Sequence, residues 1–391
     1  MIAHPLRNLL NDAKQMQHCV PKSEMMPREP IKMVFSYNSG RRHPTERYLS
    51  DAFGTGYATH CDFDNMRADE SVLTLFEVAR SRGETPEAFA HLVDTPAFPR
   101  DLHLSTVPTV ALDIDSFGWT SSRIRWSMLF DYVFLWHPSL VPEYKAAGHP
   151  KVFALPHAAD ASLFEPKNSH LADRSLDLGW VGAFNYAHYN KRRRIIEGLA
   201  SRFNMNEFAR RYSKEETAEI YMQSKIVVNV SREDFPQEAN MRCYEAMAAG
   251  ALLITGTPTE LTEWGFREGE HFVSWHNEDD IQDLVDHYLS REKIRAEIAR
   301  AGRVLTLSDF TFQKCRDKMS SVIREHPNQF FAPARNWPSE KVGLINLEHH
   351  YRHQLFEPAL TQFCELRNLA AYWKGLPMML KTTRHCLKAL V

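Results

Sequence analysis

No C-x-x-C pair occurs among the six cysteines of this 391-residue chain (Cys19, Cys61, Cys243, Cys315, Cys364 and Cys386). Thiols scattered in this way supply neither a disulfide framework nor a zinc knuckle, and they point to a reducing, cytoplasmic compartment. No window approaches eighteen consecutive apolar residues, so no membrane-spanning helix is expected. The opening MIAHPLRNLLNDAKQMQHCV lacks the apolar stretch of a secretory signal. Neither sign of charge dominates. Lys and Arg number 47 against 49 Asp and Glu, a formal −2, which argues against a dedicated nucleic-acid binder. Absent too is any G-x-G-x-x-G after an apolar run, the fingerprint of dinucleotide oxidoreductases, and any tandem repeat of short period. What is present is ordinary for a globular protein: 43% hydrophobic and 25% charged residues. The length exceeds one ordinary core and implies two domains.

Along the chain, residues 1–30 are polar and rich in Met and Pro, and read as a leading helix or a loose arm. Apolar runs then alternate with helical patterns. IKMVFSY (Ile31–Tyr37), YATHCDF, TVALDID (Thr109–Asp115) and DYVFLWH (Asp131–His137) read as strands, and KVFALPHAAD closes this half. TERYLSDAFG and PSLVPEYKAAGH read as helices, the second stopped by Gly148. TPEAFAHLV reads as a helix with Thr85 as N-cap and Pro86 just inside. After the polar stretch ASLFEPKNSHLADRS the pattern restarts. LDLGWVGAF, KIVVNVS, ALLITG and HFVSW read as strands. YNKRRRIIEGLASRF, SKEETAEIYMQS with its Ser-x-x-Glu capping box, MRCYEAMAAG and two later segments read as helices. Strands alternating with helices, twice over, predict an α/β protein of two doubly wound, Rossmann-like domains. The expected boundaries are 31–165 and 166–330, followed by C-terminal helices over 331–391.

The stretch NMRCYEAMAAGALLITG (Asn240–Gly256) puts polar residues at the mouth of an otherwise apolar helix. Asn240 suits an N-cap. The unpaired amides behind it, including that of Met241, and the helix dipole favour a phosphate, and Arg242 adds a guanidinium. Glu245, one turn further in, suits the paired hydroxyls of a ribose. The end of KIVVNVS, Asn229 to Ser231, arrives at the same crevice. A second reading stays open, in which Arg242 and Glu245 form a surface ion pair. The basic cluster NKRRRII (Asn190–Ile196) opposes the helix dipole and suits an anion.

This second half resembles the donor-binding half of group 1 glycosyltransferases. The likeness is closest to the branch of the spore-maturation CgeB-like proteins. It rests on the apolar strand ending in Asn229, on Asn-x-Arg-x-x-Glu-Ala-x-Ala-x-Gly from Asn240 to Gly250, and on the Asp- and Leu-rich helix beyond. DYVFLWHPSLVPEYKAAGHPKVFALPHAADASLFEP and GWVGAFNYAHYNKRR resemble the same branch, so the likeness covers roughly residues 105–320. It implies a GT-B architecture, with a nucleoside diphosphate sugar bound mainly by the second domain and UDP the first choice of nucleotide. Glu245 would hold the ribose, and Arg242 with the backbone near Asn240 and Met241 would face the diphosphate. Gly182 would allow close approach of the first loop, Arg192 or Arg193 would help neutralise phosphate, and Tyr212 and Ser213 would stand where a base-contacting loop is expected. Many group 1 enzymes place a sugar-contacting Glu eight residues before the ribose Glu. Here that place is Gln237, with Glu238 beside it.

Such enzymes usually need no metal, because helix dipoles and Arg meet the phosphate charge; no cofactor is expected. An inverting enzyme needs a base near the acceptor hydroxyl, and Asp113, Asp115, His137 and His43 are candidates at strand ends and loops of the first domain. Asp113 and Asp115 also form a D-x-D, which would hold a metal in a GT-A enzyme; loop acids capping a helix are the plainer reading. Arg41–Pro44 suits a phosphate, an acidic acceptor or a solvated loop. The basic, aromatic tail AYWKGLPMMLKTTRHCLKALV suits either packing back on the first domain, which we favour, or peripheral contact with the inner face of an anionic membrane. The expected function is glycosyl transfer to an acceptor that is a glycan, small molecule or protein. The rivals are a nucleotide-sugar epimerase and a structural or assembly protein that keeps the fold without turnover.

Overall fold

The computed structural model describes residues 29–37, 44–53, 58–62, 71–83, 85–93, 99, 101–164, 174–184, 189–327, 329–366 and 369–389. The chain divides into Met1–Pro30 and Ile31–Val391. Of the arm only Glu29 and Pro30 are described, and Arg41 to His43 also lie outside the described residues. All that follows concerns Ile31–Val391.

Among the described residues ten strands form two parallel sheets. The first holds β1 (Met33–Tyr37), β2 (Ala58–Asp62), β3 (Ala88–Leu92), β4 (Thr109–Asp113), β5 (Tyr132–Leu135) and β6 (Val152–Ala154), in the order β2-β1-β3-β4-β5-β6. The second holds β7 (Leu176–Gly179), β8 (Ser224–Asn229), β9 (Leu252–Gly256) and β10 (Val273–Trp275), in the order β10-β9-β8-β7. A parallel sheet with helices on both faces must bury both faces, so its strands are apolar throughout rather than alternating. Val34, Phe89, Ala111 and Val133 therefore enter one core, while Met33, Phe35, Ala90, Val110, Leu112 and Phe134 enter the other. In the second sheet Val227 and Leu253 face one layer, and Ile226, Val228, Leu252 and Ile254 the opposite one.

One segment departs from its local signals. TPEAFAHLV is not a helix: Ala88–Leu92 is β3, paired in parallel with β1 on one side and β4 on the other. Its five residues are wholly buried. Thr85 and Pro86 offer a helix start, but a short apolar run is ambiguous between states, and the slot at the middle of the sheet decides it. Elsewhere the local grammar holds. Ser213 and Glu216 form a reciprocal capping box on the helix Lys214–Gln223. The helix Val141–Ala146 gives out just before Gly148, whose φ of +99° favours glycine.

After the second sheet the chain returns to the first. Phe312, Cys315, Met319 and Ile323 of the helix Phe312–Arg324 join the core that contains Phe35 and Leu112. Helix Ser339–Arg352 packs on helix Thr120–Ser127, where Arg125 Nε donates to Glu348 at 2.8 Å and the rings of Trp126 and His349 lie 4.8 Å apart. No described helix is long and apolar enough to cross a membrane.

Candidate functional site

Residues that follow β4, β6, β7 and β8 line one cleft of about 620 Å³, together with side chains of the helix Lys214–Gln223 and the start of Met241–Ala248. The carboxyl ends of parallel strands are where such folds take ligands, because the loops there are free of the sheet and helices begin there. The cleft has a basic wall and an acidic one.

The basic wall is built on Asn240. Its side chain caps the helix Met241–Ala248 by accepting from Arg242 N at 3.2 Å, and its amide donates to Asn229 Oδ1 at 3.2 Å. Arg242 Nη1 donates to the same Asn229 oxygen at 2.7 Å, while Nε and Nη2 reach Val181 O at 3.1 and 2.8 Å. A Cβ on Gly182 would stand 2.5 Å from Arg242 Nη2 and 2.7 Å from the Trp180 ring, so only glycine leaves room for this bridge. Arg192 comes from the helix Asn190–Ala200, donates to Val230 O at 2.8 Å, and lies 4.0 Å over the Tyr189 ring. Both guanidiniums are buried, at 4% exposure for Arg192 and 8% for Arg242. Among the described residues neither forms an ion pair with a carboxylate. Burial and the Arg242 charge push Arg192 down to about 10, so it stays cationic at neutral pH.

Glu245 stands on the same wall without pairing to Arg242, so the surface ion pair is not what forms. Burial pushes its carboxyl up to about 7, against the pull of Arg242. A folded value above the unfolded one near 4.5 stabilises the fold fully below pH 4.5, and that contribution is lost as pH rises through about 7. The gap corresponds to about 3 kcal/mol. Urea midpoints of the wild type and Glu245→Gln, compared at pH 5 and 8, should therefore shift in the variant's favour as pH rises, the wild type losing ground. Parallel pH dependence would contradict the burial argument.

Asp115, His137 and Glu238 form the acidic wall and the floor behind it. One ligand atom from each lies within 4.8 Å of the others. His137 is fully buried beneath the rings of Phe117 and Phe235, with centroids at 5.4 and 4.6 Å. Its Nδ1 meets Glu260 Oε2 at 3.1 Å. Burial opposes protonation of His137, but the Glu260 hydrogen bond and the charges of Glu260, Glu238 and Asp115 raise its pKa above the ordinary value. Glu238 is pushed up to about 7 by burial and by Asp115, with His137, Arg192 and Arg232 working the other way.

Of the residues expected from sequence, Asp115, Arg192, Tyr212, Glu238, Asn240, Met241, Arg242 and Glu245 line the cleft. Others stand behind them. Asn229 supports Arg242 and Asn240, and Ser231 Oγ donates to Glu238 O at 2.9 Å. Four expected residues make other contacts. Asp113 is buried beneath the cleft, its carboxylate taken by Arg123 Nη1 at 2.7 Å and Tyr144 OH at 2.5 Å, so it shares no site with Asp115. Ser213 accepts from Glu216 N at 3.1 Å and is occupied as an N-cap. Arg193 points outward and donates to Phe184 O at 3.0 Å. Gln237 serves through its backbone, accepting from Glu260 N at 2.9 Å, and Glu238 reaches the cleft in its place. Tyr48, His157, Tyr189, Lys214, Arg232 and Glu260 went unrecognised in the sequence. Only Arg232 and Glu260, charged residues just past strands β8 and β9, carried a local signal.

Residues 171–320 match a family described as "Glycosyl transferase-like". No curated protein matches the sequence. Among solved structures, Alr3699/HepE from Anabaena in complex with UDP aligns at TM-score 0.54 and 12% identity, over 75% of this chain and all of that one; it has also been solved with UDP-glucose. A glycosyltransferase from Rickettsia africae aligns at TM-score 0.56 and 11% identity, over 76% of this chain and 99% of that one. Sucrose-phosphate synthase from Thermosynechococcus elongatus aligns at TM-score 0.51 and 12% identity, over 76% and 99%. The fold is thus GT-B, two parallel-sheet Rossmann-like domains, with the family match confined to residues 171–320.

Proposed function

We propose that this chain is a cytoplasmic GT-B glycosyltransferase that moves a sugar from a UDP-sugar to an acceptor nucleophile. One observation carries the reading: two buried guanidiniums, Arg192 and Arg242, share a cleft wall with the capped helix start at Asn240 and form no ion pair with a carboxylate among the described residues. Such a wall is built for a polyanion. A diphosphate there would put its ribose hydroxyls toward Glu245, and its leaving charge would be stabilised as the glycosidic bond breaks. The sugar would then point to the acidic wall, where Asp115 and Glu238 face the incoming acceptor. On this reading residues 31–165 form the acceptor side and 166–330 the donor side, and the CgeB-like branch is the nearest kin.

The test is a thermal-shift screen against UDP-, GDP-, ADP- and dTDP-sugars. A UDP-sugar should raise Tm by mass action, by about 2.7 kcal/mol of stabilisation at a hundredfold excess over Kd. Glu245→Ala should weaken that binding about tenfold, the worth of one charged hydrogen bond. If no nucleotide sugar shifts the wild type, the reading fails. Release of UDP that depends on an added acceptor separates transfer from epimerisation.

A further inference from the structure

We propose that Asp115, His137 and Glu238 form a site for one divalent cation of intermediate hardness, Mn2+ or Zn2+. This goes beyond sugar transfer and runs against the metal-free expectation for the family. The three side chains come from separate places, the loops after β4, β5 and β8, yet their ligand atoms converge within 4.8 Å. Ligands about 2.0–2.2 Å from a common ion lie at most about 4.4 Å apart, so closing on an ion needs movements of only tenths of an ångström. Two carboxylates and one imidazole suit Mn2+ and Zn2+ better than the all-oxygen cages of Mg2+ or Ca2+.

His137 supplies the independent observation. Glu260 takes Nδ1 at 3.1 Å, which leaves Nε2 as the nitrogen able to ligate. That atom is buried, on a residue with 0% exposure, and has no hydrogen-bond partner among the described residues. A buried nitrogen left unsatisfied costs stability unless something binds it. A ligating histidine whose other nitrogen is held by a carboxylate is the arrangement metal sites use to fix the tautomer and raise basicity. Glu260 is itself steadied by Ser139 Oγ at 3.4 Å and Ala239 N at 3.5 Å. Of the two arginine cations that act on Glu238, Arg192 and Arg232, the second is neutralised by Asp234 at 2.7 and 2.9 Å. Because Asp115 and Glu238 line the cleft, the ion's remaining positions would open onto it and accept a hydroxyl or phosphate oxygen.

Purified protein, stripped with a chelator and dialysed, is titrated with MnCl2 while the electron paramagnetic resonance signal of free Mn2+ is followed; ZnCl2 then competes. The wild type should take up one ion per chain. Glu238→Gln and Asp115→Asn, which keep shape, should each weaken uptake at least tenfold, and Glu260→Gln should weaken it ten- to a hundredfold through His137 alone. Absence of stoichiometric uptake by the wild type, or equal uptake by both ligand variants, overturns the site. The two proposals fail separately. A UDP thermal shift without Mn2+ uptake removes the metal and leaves the nucleotide. Stoichiometric Mn2+ uptake by the wild type while no nucleotide sugar shifts its Tm does the reverse.

Discussion

Arg192→Met should lower the affinity for UDP about a hundredfold while changing the stability of the ligand-free protein by no more than about 1 kcal/mol. The argument sets two opposed effects against each other. In the free protein Arg192 is 4% exposed and sits close enough to Arg242 for the two charges to repel, with Glu238 offsetting part of that repulsion and no ion pair to Arg192 among the described residues. Removing it relieves buried charge but also loses the bonds to Val230 O at 2.8 Å and Ala183 O at 3.3 Å. Buried charges replaced by apolar groups of like volume are often neutral in stability, so these changes should nearly cancel. With a diphosphate bound, the balance tips one way only. A charged hydrogen bond to phosphate in a dry cleft contributes about 1.5–3 kcal/mol, near a hundredfold at the upper end. Arg192→Lys should fall between, because it keeps the charge but not the fork. Isothermal titration with UDP, beside urea unfolding without it, decides the matter. Affinity within twofold of the wild type would show that the phosphate goes elsewhere.

What could be read from the sequence was what short stretches of chain determine by themselves. Asn240 as a cap and the Ser213–Glu216 box act over two or three residues, and both appear as expected. The alternation of apolar runs and helical segments fixed the class of fold because two-faced burial demands it of every parallel strand. What stayed hidden was tertiary. TPEAFAHLV carries helix signals that lose to a vacant place between β1 and β4. Glu260 holds His137 across 123 positions, and Phe117 stacks on Phe235 at 4.9 Å from the other half of the chain. No window of sequence contains such pairs. The convergence of Asp115, His137 and Glu238 was invisible for the same reason, although two of the three had been singled out as candidate bases and the third as a sugar contact.

Asp113 puts the difference between pattern and place to the sharpest test. In the motif it is the twin of Asp115, but β4 ends at Asp113 and the chain turns, so the two carboxylates part. Asp113 goes under the sheet edge to Arg123, at 0% and 3% exposure, with Tyr144 completing the group. Asp113→Ala should destabilise the protein by about 3–5 kcal/mol, since it strands a buried guanidinium. That is a large share of the roughly 5–15 kcal/mol that holds a typical domain folded. Asp113→Asn keeps an acceptor for Tyr144 and should cost less, about 1–3 kcal/mol. Neither change touches the cleft, so in folded Asp113→Asn the UDP thermal shift and the uptake of Mn2+ should match the wild type. Denaturant unfolding of the three proteins, with ligand binding measured on the Asn variant, separates the roles. A base would lose turnover with stability intact, whereas a buried counter-ion loses stability with binding intact, and Asp113→Ala within 1 kcal/mol of the wild type would return Asp113 to the list of candidate bases.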